Sequence, residues 1–309
     1  MIRSILLAAV ILVLLGAGGA LLLSAPRPLA VSDVPEHRPD LANGERLFWA
    51  GGCASCHAAP GAKEEAKLTL ADGVELHTPF GTFRSPNISP HEETGIGGWS
   101  TLDFINAMNR GVSPEGEHYY PAFPYTNYQR MPLVDLIDLK GFLDTLPNSA
   151  NRVADHDLGF PFNLRRPLGF WKLLYARGEP FAIETTREGA SERGRYLVEG
   201  PGHCGACHTP RDPLGGPIEK RHMAGAVAFE GDPTKKPGAI PNITPHEDGI
   251  GGWTARDIAY ALETGMNPDF DTFGSSMVSV QENMARLTPE DRAAIAGYLK
   301  NLTPLPSKP

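Results

Sequence analysis

The 309 residues are more than one ordinary core holds and suggest two domains. Hydrophobic residues make up 41% and charged residues 21%, which excludes an intrinsically disordered chain. The formal charge of −8 excludes the basic face that nucleic-acid binding needs, so no nucleic-acid partner is expected.

The chain opens on a targeting segment. Ile5 to Leu23 is a run of 19 residues without a charged or polar side chain. A spanning helix needs about 20 such residues, whereas a signal-peptide core has about 7–15. Pro26 makes the bond after Ala25 a poor cleavage site. Residues 1–25 are therefore expected to be an uncleaved membrane anchor, with a cleaved signal as the alternative. Both readings export the rest of the chain.

A short helix is expected from about Asn43-Gly44, running Glu45-Arg-Leu-Phe-Trp-Ala into Cys53-Ala-Ser-Cys56-His57. A long loop follows, with Pro86-Asn-Ile-Ser-Pro-His at its centre and Gly-Gly-Trp99 at its end. Ser100-x-x-Asp103 is a capping-box pattern that starts a helix with Leu102, Ile105 and Met108 inward and Gly111 as its stop. Leu133, Leu136, Ile137 and Leu143 mark the last helix of this unit. Residues 151–185, rich in Phe, Trp and Leu, are too apolar for a free tether and are expected to pack at an interface.

The pattern then repeats. Gly194-Arg-Tyr-Leu-Val-Glu leads to Cys204-Gly-Ala-Cys207-His208. Pro241-Asn-Ile-Thr-Pro-His leads to Gly-Gly-Trp253, one residue shorter than the first copy. Thr254-x-x-Asp257 caps a helix carrying Ile258, Ala261 and Leu262, with Gly265 as its stop. Thr288-Pro289-Glu-Asp291 starts a final helix with Ile295, Tyr298, Leu299 and Leu302. There is little strand signal. The expected fold is all-α: two tandem, loop-rich domains at 38–150 and 186–304, joined by 151–185 and preceded by the N-terminal helix.

All four cysteines lie in the two C-x-x-C-H motifs. That spacing serves covalent haem attachment: two thiols form thioethers with the vinyl groups, and the adjacent His reaches the iron. Cys53, Cys56, Cys204 and Cys207 are the attachment points, and His57 and His208 the proximal ligands, of two haem c groups. Zinc would need a fourth ligand at each site, and no second Cys or His pair follows nearby. The 34 Gly and 29 Pro also suit a loop-rich fold filled by a macrocycle. On the far side of the second iron, Met277 is favoured over Met284, which lies nearer the helix start. For the first iron Met131 is favoured, with His118 and an open site as alternatives, because Pro121 stands where the second unit has Met277. The carbonyls of the Pro86 and Pro241 loops are candidates to receive the proximal imidazole N–H. Arg211, Trp99 and Trp253 are candidate propionate partners. His91 and His246 are expected to shape their turns.

The segment Gly-Arg-Tyr-Leu-Val-Glu-Gly-Pro-Gly-His-Cys-Gly-Ala-Cys-His-Thr-Pro-Arg, both Pro-Asn-Ile segments, Tyr-Pro-Ala-Phe-Pro-Tyr and Trp-Lys-Leu-Leu resemble the multihaem cytochrome c subunits of bacterial periplasmic dehydrogenases. The resemblance runs from about residue 40 to 303. It implies class I cytochrome c-like domains and a relay on the periplasmic side of the inner membrane. Electrons would come from a dehydrogenase catalytic subunit and pass to quinone or a downstream cytochrome or oxidase. The alcohol-dehydrogenase type has three haem motifs and often reads Tyr-Pro-Ala-Met-Pro-Tyr; this chain has two motifs, and Phe123 replaces the Met. The alternative is a dihaem enzyme of peroxidase type, or a gas sensor, using an open first haem.

Overall fold

The computed structural model describes residues 2–178, 189–228 and 238–307. Its helices, in chain order, are α1 (Ile2–Leu23), α2 (Leu41–Ala50), α3 (Cys53–His57), α4 (Thr101–Ile105), α5 (Tyr125–Tyr128), α6 (Leu133–Leu143), α7 (Leu168–Tyr175), α8 (Gly189–Glu199), α9 (Gly205–His208), α10 (Ala255–Thr264), α11 (Ser276–Met284) and α12 (Pro289–Lys300). Among the described residues α1 alone is long and apolar enough to cross a bilayer, and none of it is buried in the protein.

Two helix pairs frame the molecule. α2 packs on α6, and α8 packs on α12. Both crossings are close because glycine sits at each. A Cβ on Gly44 would lie 2.2 Å from the Asp138 carbonyl oxygen, and one on Gly194 would lie 2.0 Å from that of Ala294. The buried faces of these helices join one apolar cluster that runs through both halves, from Leu47, Phe48 and Leu136 to Leu197, Ile295 and Leu299.

α4 and α10 begin as the sequence suggests. Ser100 Oγ accepts from the Asp103 amide at 3.1 Å, and Thr254 Oγ1 from that of Asp257 at 3.1 Å, each carboxylate reaching back to the cap's own amide. Both runs stop at a left-handed glycine, Gly111 (φ 58°) and Gly265 (φ 78°). The first run differs from the second in its last five residues, Asn106–Arg110, which form a π turn. That turn carries the buried Asn106 onto the backbone of Leu29, which donates to Asn106 Oδ1 at 2.7 Å.

Two features depart from the expected layout. α2 starts at Leu41, before Asn43-Gly44, because Asp40 caps it by accepting from the amides of Ala42 (3.0 Å) and Asn43 (3.2 Å). Small antiparallel sheets are present, β1 (Glu75–Thr78), β2 (Gly81–Arg84) and β3 (Asp157–Leu158) in one, β4 (Ala226–Val227) and β5 (Ala239–Ile240) in the other. They are too short for a strand period to show in sequence. The connecting segment lies against both halves. Its β3 pairs with β2, Trp171 Nε1 donates to the Leu214 carbonyl at 3.0 Å, and the Tyr175 hydroxyl donates to Asp212 at 2.6 Å. Residues 179–188 of the expected linker and second unit lie outside the described residues.

Candidate haem-attachment sites

Each C-x-x-C-H forms a single helical turn, α3 in the first half and the stretch ending in α9 in the second. Cys56 and Cys207 are exposed, and Cys53 and Cys204 are half-buried. The residue before each first cysteine is left-handed: Gly52 (φ 60°) and His203 (φ 36°). Backbone bonds from the following loops hold each turn. Val74 N donates to the Cys56 carbonyl at 2.9 Å, and Gly225 N donates to that of His208 at 2.9 Å.

The imidazoles are held as iron ligands require. His57 Nδ1 lies 2.7 Å from the Pro86 carbonyl oxygen, and His208 Nδ1 lies 2.8 Å from that of Pro241. A carbonyl can only accept, so Nδ1 carries the proton and Nε2 keeps its lone pair for the metal. Burial lowers the pKa of both imidazoles below their usual value and keeps them neutral. Burial also pushes the Cys53 and Cys204 thiols up to about 12. Among the described residues no group of three or more His, Cys, Asp or Glu side chains converges as a metal-ion site. The donor set of each motif is two thiols and one oriented imidazole, which fits a thioether-linked haem.

Sequence reasoning missed what holds the two carbonyls in place. Asn87 and Asn242 are almost fully buried, and each accepts from the amide two residues on, Ser89 or Thr244, at 2.8 Å. Asn87 Nδ2 donates to the carbonyls of Ser149 (2.8 Å) and Asn151 (2.9 Å). Asn242 Nδ2 donates to that of Leu305 at 2.7 Å. Each loop is thus tied to the chain beyond the last helix of its own half. The signal was the repeated Pro-Asn-Ile itself, in which a buried amide needs partners on both ends.

On the far side the two halves differ. Met131 is 1% exposed, immediately before the α6 cap Pro132, and its side chain lies against Gly200. Met277 is half-buried in the first turn of α11, packed on the apolar cluster, and Met284 is a core residue. Counting back from the caps of α6 and α12, Met131 falls opposite Leu287 and Met277 opposite Pro121. His118 donates from Nε2 to the Ser24 carbonyl at 2.9 Å, and its Nδ1 is buried without a hydrogen-bond partner among the described residues. Arg211 donates to the backbone carbonyls of Gly215 (2.7 Å) and Ala206 (2.8 Å), closing the loop after the second motif. Trp99 and Trp253 pack on the core. His91 and His246 accept backbone amides of their own turns, from Thr94 and Asp248, both at 3.1 Å.

The two attachment turns meet. His203, next to Cys204, donates from Nε2 to the Gly51 carbonyl at 3.3 Å, two residues before Cys53. Its ring stands edge-on to Tyr128 at 5.7 Å. Asn283, from the second half, donates to Ser55 Oγ inside the first motif at 2.6 Å. A polar cluster flanks the second motif: Glu199 accepts from His222 at 2.7 Å and from the Tyr298 hydroxyl at 2.9 Å. Burial alone would raise Glu199, but the bonds from His222 and Tyr298 hold its carboxyl below the usual range. Burial alone would lower His222, but the Glu199 carboxylate keeps it above its usual value.

Comparison with known proteins agrees with this chemistry. Residues 41–147 match the cytochrome c family. The chain is 49% identical, over 97% of its length and 98% of the relative's, to a dihaem cytochrome c-type protein of Cereibacter sphaeroides. It is 31% identical over 89% of its length to the fructose dehydrogenase cytochrome subunit of Gluconobacter japonicus. It is 33% identical over 92% of its length to the gluconate 2-dehydrogenase cytochrome c subunit of Pantoea cypripedii. It spans 55% and 64% of these two longer relatives. Two oriented imidazoles beside paired thiols, in a chain that matches its dihaem relative along nearly the whole length of both, make it a member of the dihaem cytochrome c-type family, with two covalently bound haem c groups.

Proposed function

We propose that this chain is a two-haem relay that takes electrons from a periplasmic dehydrogenase and delivers them to quinone or to a downstream cytochrome or oxidase. The observation that carries the reading is the junction of the two motifs, where His203 bonds to Gly51 and Asn283 to Ser55. The haem irons supply the one-electron chemistry. The chain's own residues hold the two attachment turns against each other and keep each imidazole neutral and fixed, so that little has to move when charge arrives.

The reading comprises two tandem class I cytochrome c-like domains, 38–150 and 186–304. His57 and Met131 would be the axial ligands of the first iron, and His208 and Met277 those of the second. Full burial of Met131 supports its place in this set. Helix α1 would anchor the molecule to the periplasmic face of the bacterial inner membrane. The bonds that His118 and Arg166 make to the end of α1 support its retention, since a cleaved chain would leave both without these partners.

The test is isolation of the full-length chain from its native membranes in mild detergent. The expected outcome is a copurifying dehydrogenase whose substrate reduces both haems, with neither ferrous haem binding carbon monoxide rapidly. Purification without a dehydrogenase, together with rapid carbon monoxide binding at one haem, would point to a dihaem enzyme or sensor and overturn the relay.

A further inference from the structure

The segment between the halves is built onto the end of α1. Arg166 caps the helix, donating to the Leu21 carbonyl and, at 3.0 Å, to Ser24 Oγ. Gly169 lets α7 touch it, since a Cβ there would lie 2.3 Å from the Ser24 carbonyl oxygen. With its 22 residues, α1 is about 33 Å long, close to the roughly 30 Å hydrocarbon core of a bilayer. Its last turn therefore lies at the outer boundary of that core, and residues 166–169 lie at the same level.

This segment exposes apolar side chains where a water-facing loop would expose polar ones. Phe160 is 81% exposed, and Phe162, Leu164, Phe170 and Leu174 are each 41% exposed or more. Phe170 and Leu174 are one helical turn apart and share a face of α7. Phe162 packs against Phe80 with ring centroids 4.8 Å apart, Phe80 lies against Gly215, and Trp171 bonds to neighbouring Leu214, itself 61% exposed. The patch is thus contiguous across the connecting segment and the loop after the second motif.

Residues 159–175 hold three cations and no acid, and each cation is bonded to oxygens of the protein. Arg165 bonds to the His118 carbonyl at 3.1 Å and pairs with Glu117 at 3.3 Å. Arg166 caps α1. Lys172 donates to the carbonyls of Arg110 and Gly111 at 2.8 and 2.6 Å. Asn163 and Arg166 are exposed too, but most of the outward surface is aromatic and aliphatic, and a mainly apolar surface with a few polar groups is the composition that seats at the boundary between headgroups and acyl chains. An exposed apolar surface of this kind marks an interaction site, and its tie to the helix end selects the occupant.

We propose that residues 160–174 form a second, non-spanning membrane contact, seated in the outer leaflet beside α1. The contact rests on the reading of α1 as a membrane-spanning anchor. With two points of attachment the soluble part cannot swing about its anchor, and the first half is held at a fixed tilt to the bilayer.

The test uses the full-length holoprotein in nanodiscs doped with a phosphatidylcholine whose acyl chain carries a diazirine, photolysed and mapped by mass spectrometry. Lipid adducts are expected on α1 and on residues 160–174, the latter about tenfold above those on Phe270, which is 82% exposed but far along the chain in the second half. Adducts on α1 with none above the Phe270 level at 160–174 would overturn the second contact and leave the anchor standing. Adducts on neither, or a mature chain beginning near residue 26, would overturn both.

Discussion

Replacing Gly194 by Ala tests the claim that glycine sets the α8–α12 crossing. The new methyl carbon would lie 2.0 Å from the Ala294 carbonyl oxygen and 2.8 Å from the Tyr298 Cβ. Neither neighbour is the flexible tip of a side chain, so the helices must part by roughly 1 Å or more to regain van der Waals distance. Overpacking of this kind costs about 1–3 kcal/mol, which outweighs the ~1 kcal/mol that Ala gains over Gly in helix propensity. Gly297, on α12 itself, is the internal control. A Cβ there meets nothing within 4 Å, so Gly297→Ala should be neutral or stabilise by up to about 1 kcal/mol. Guanidinium titration of the oxidised holoprotein, followed by far-UV circular dichroism, measures both. If Gly194→Ala matches Gly297→Ala, the crossing is not set by that glycine and the packing argument fails.

The remaining expectations concern the haems and their surroundings. Met131→Ala should lower the midpoint potential of one haem and Met277→Ala that of the other, because an axial Met raises the potential; redox titration of each variant reads this, and a variant that leaves both potentials unchanged removes its Met from the ligand set. Glu199 and His222 should make stability depend on pH. The raised His222 contributes fully below its usual 6.5 and loses that contribution as pH rises through its folded value; the lowered Glu199 contributes fully above its usual 4.5 and loses it as pH falls through its folded value. The pair therefore stabilises most between those limits. His222→Gln should flatten the fall in denaturation midpoint as pH rises above 6.5, and a variant profile parallel to the parent's would argue against the pair. His203→Gly exchanges a hydrogen bond of about 0.5–1.5 kcal/mol and an aromatic contact of similar size for relief of about 1–3 kcal/mol of left-handed strain, so stability should change by no more than about 2 kcal/mol in either direction. Flash photolysis of the half-reduced protein should nevertheless show slower electron exchange between the haems; an unchanged rate would mean the His203–Gly51 contact is structural only.

What was legible in the sequence was local or repeated. The two C-x-x-C-H motifs give the attachment points directly, and the doubled Pro-Asn-Ile gives the carbonyls that orient His57 and His208. Capping at Ser100 and Thr254, and termination at Gly111 and Gly265, follow from short-range backbone chemistry, so they were readable without knowing the fold. What was not legible joins residues far apart in the chain. The bond from the His118 ring to the Ser24 carbonyl spans 94 residues, and nothing nearby in sequence signals it. The carbonyls of Ala206 and Gly215 converge on Arg211 only once the loop has closed. The helix cap supplied by Arg166 and the Glu199–His222–Tyr298 cluster have no spacing signature at all. The start of α2 was misplaced by a local signal passed over, the Asp40 side chain.

Cys56 and Cys207 lie at the surface of the folded chain, beside partners only one helical turn away. Before the macrocycle arrives, such pairs are open to oxidation and exchange with other disulfides. Thioether formation consumes all four sulfurs, and the sequence holds no fifth cysteine. Haem attachment is therefore also the step that takes the molecule out of thiol chemistry: the finished protein is inert to oxidants and reductants that act on sulfhydryls, and any single cysteine added to it is a unique chemical handle.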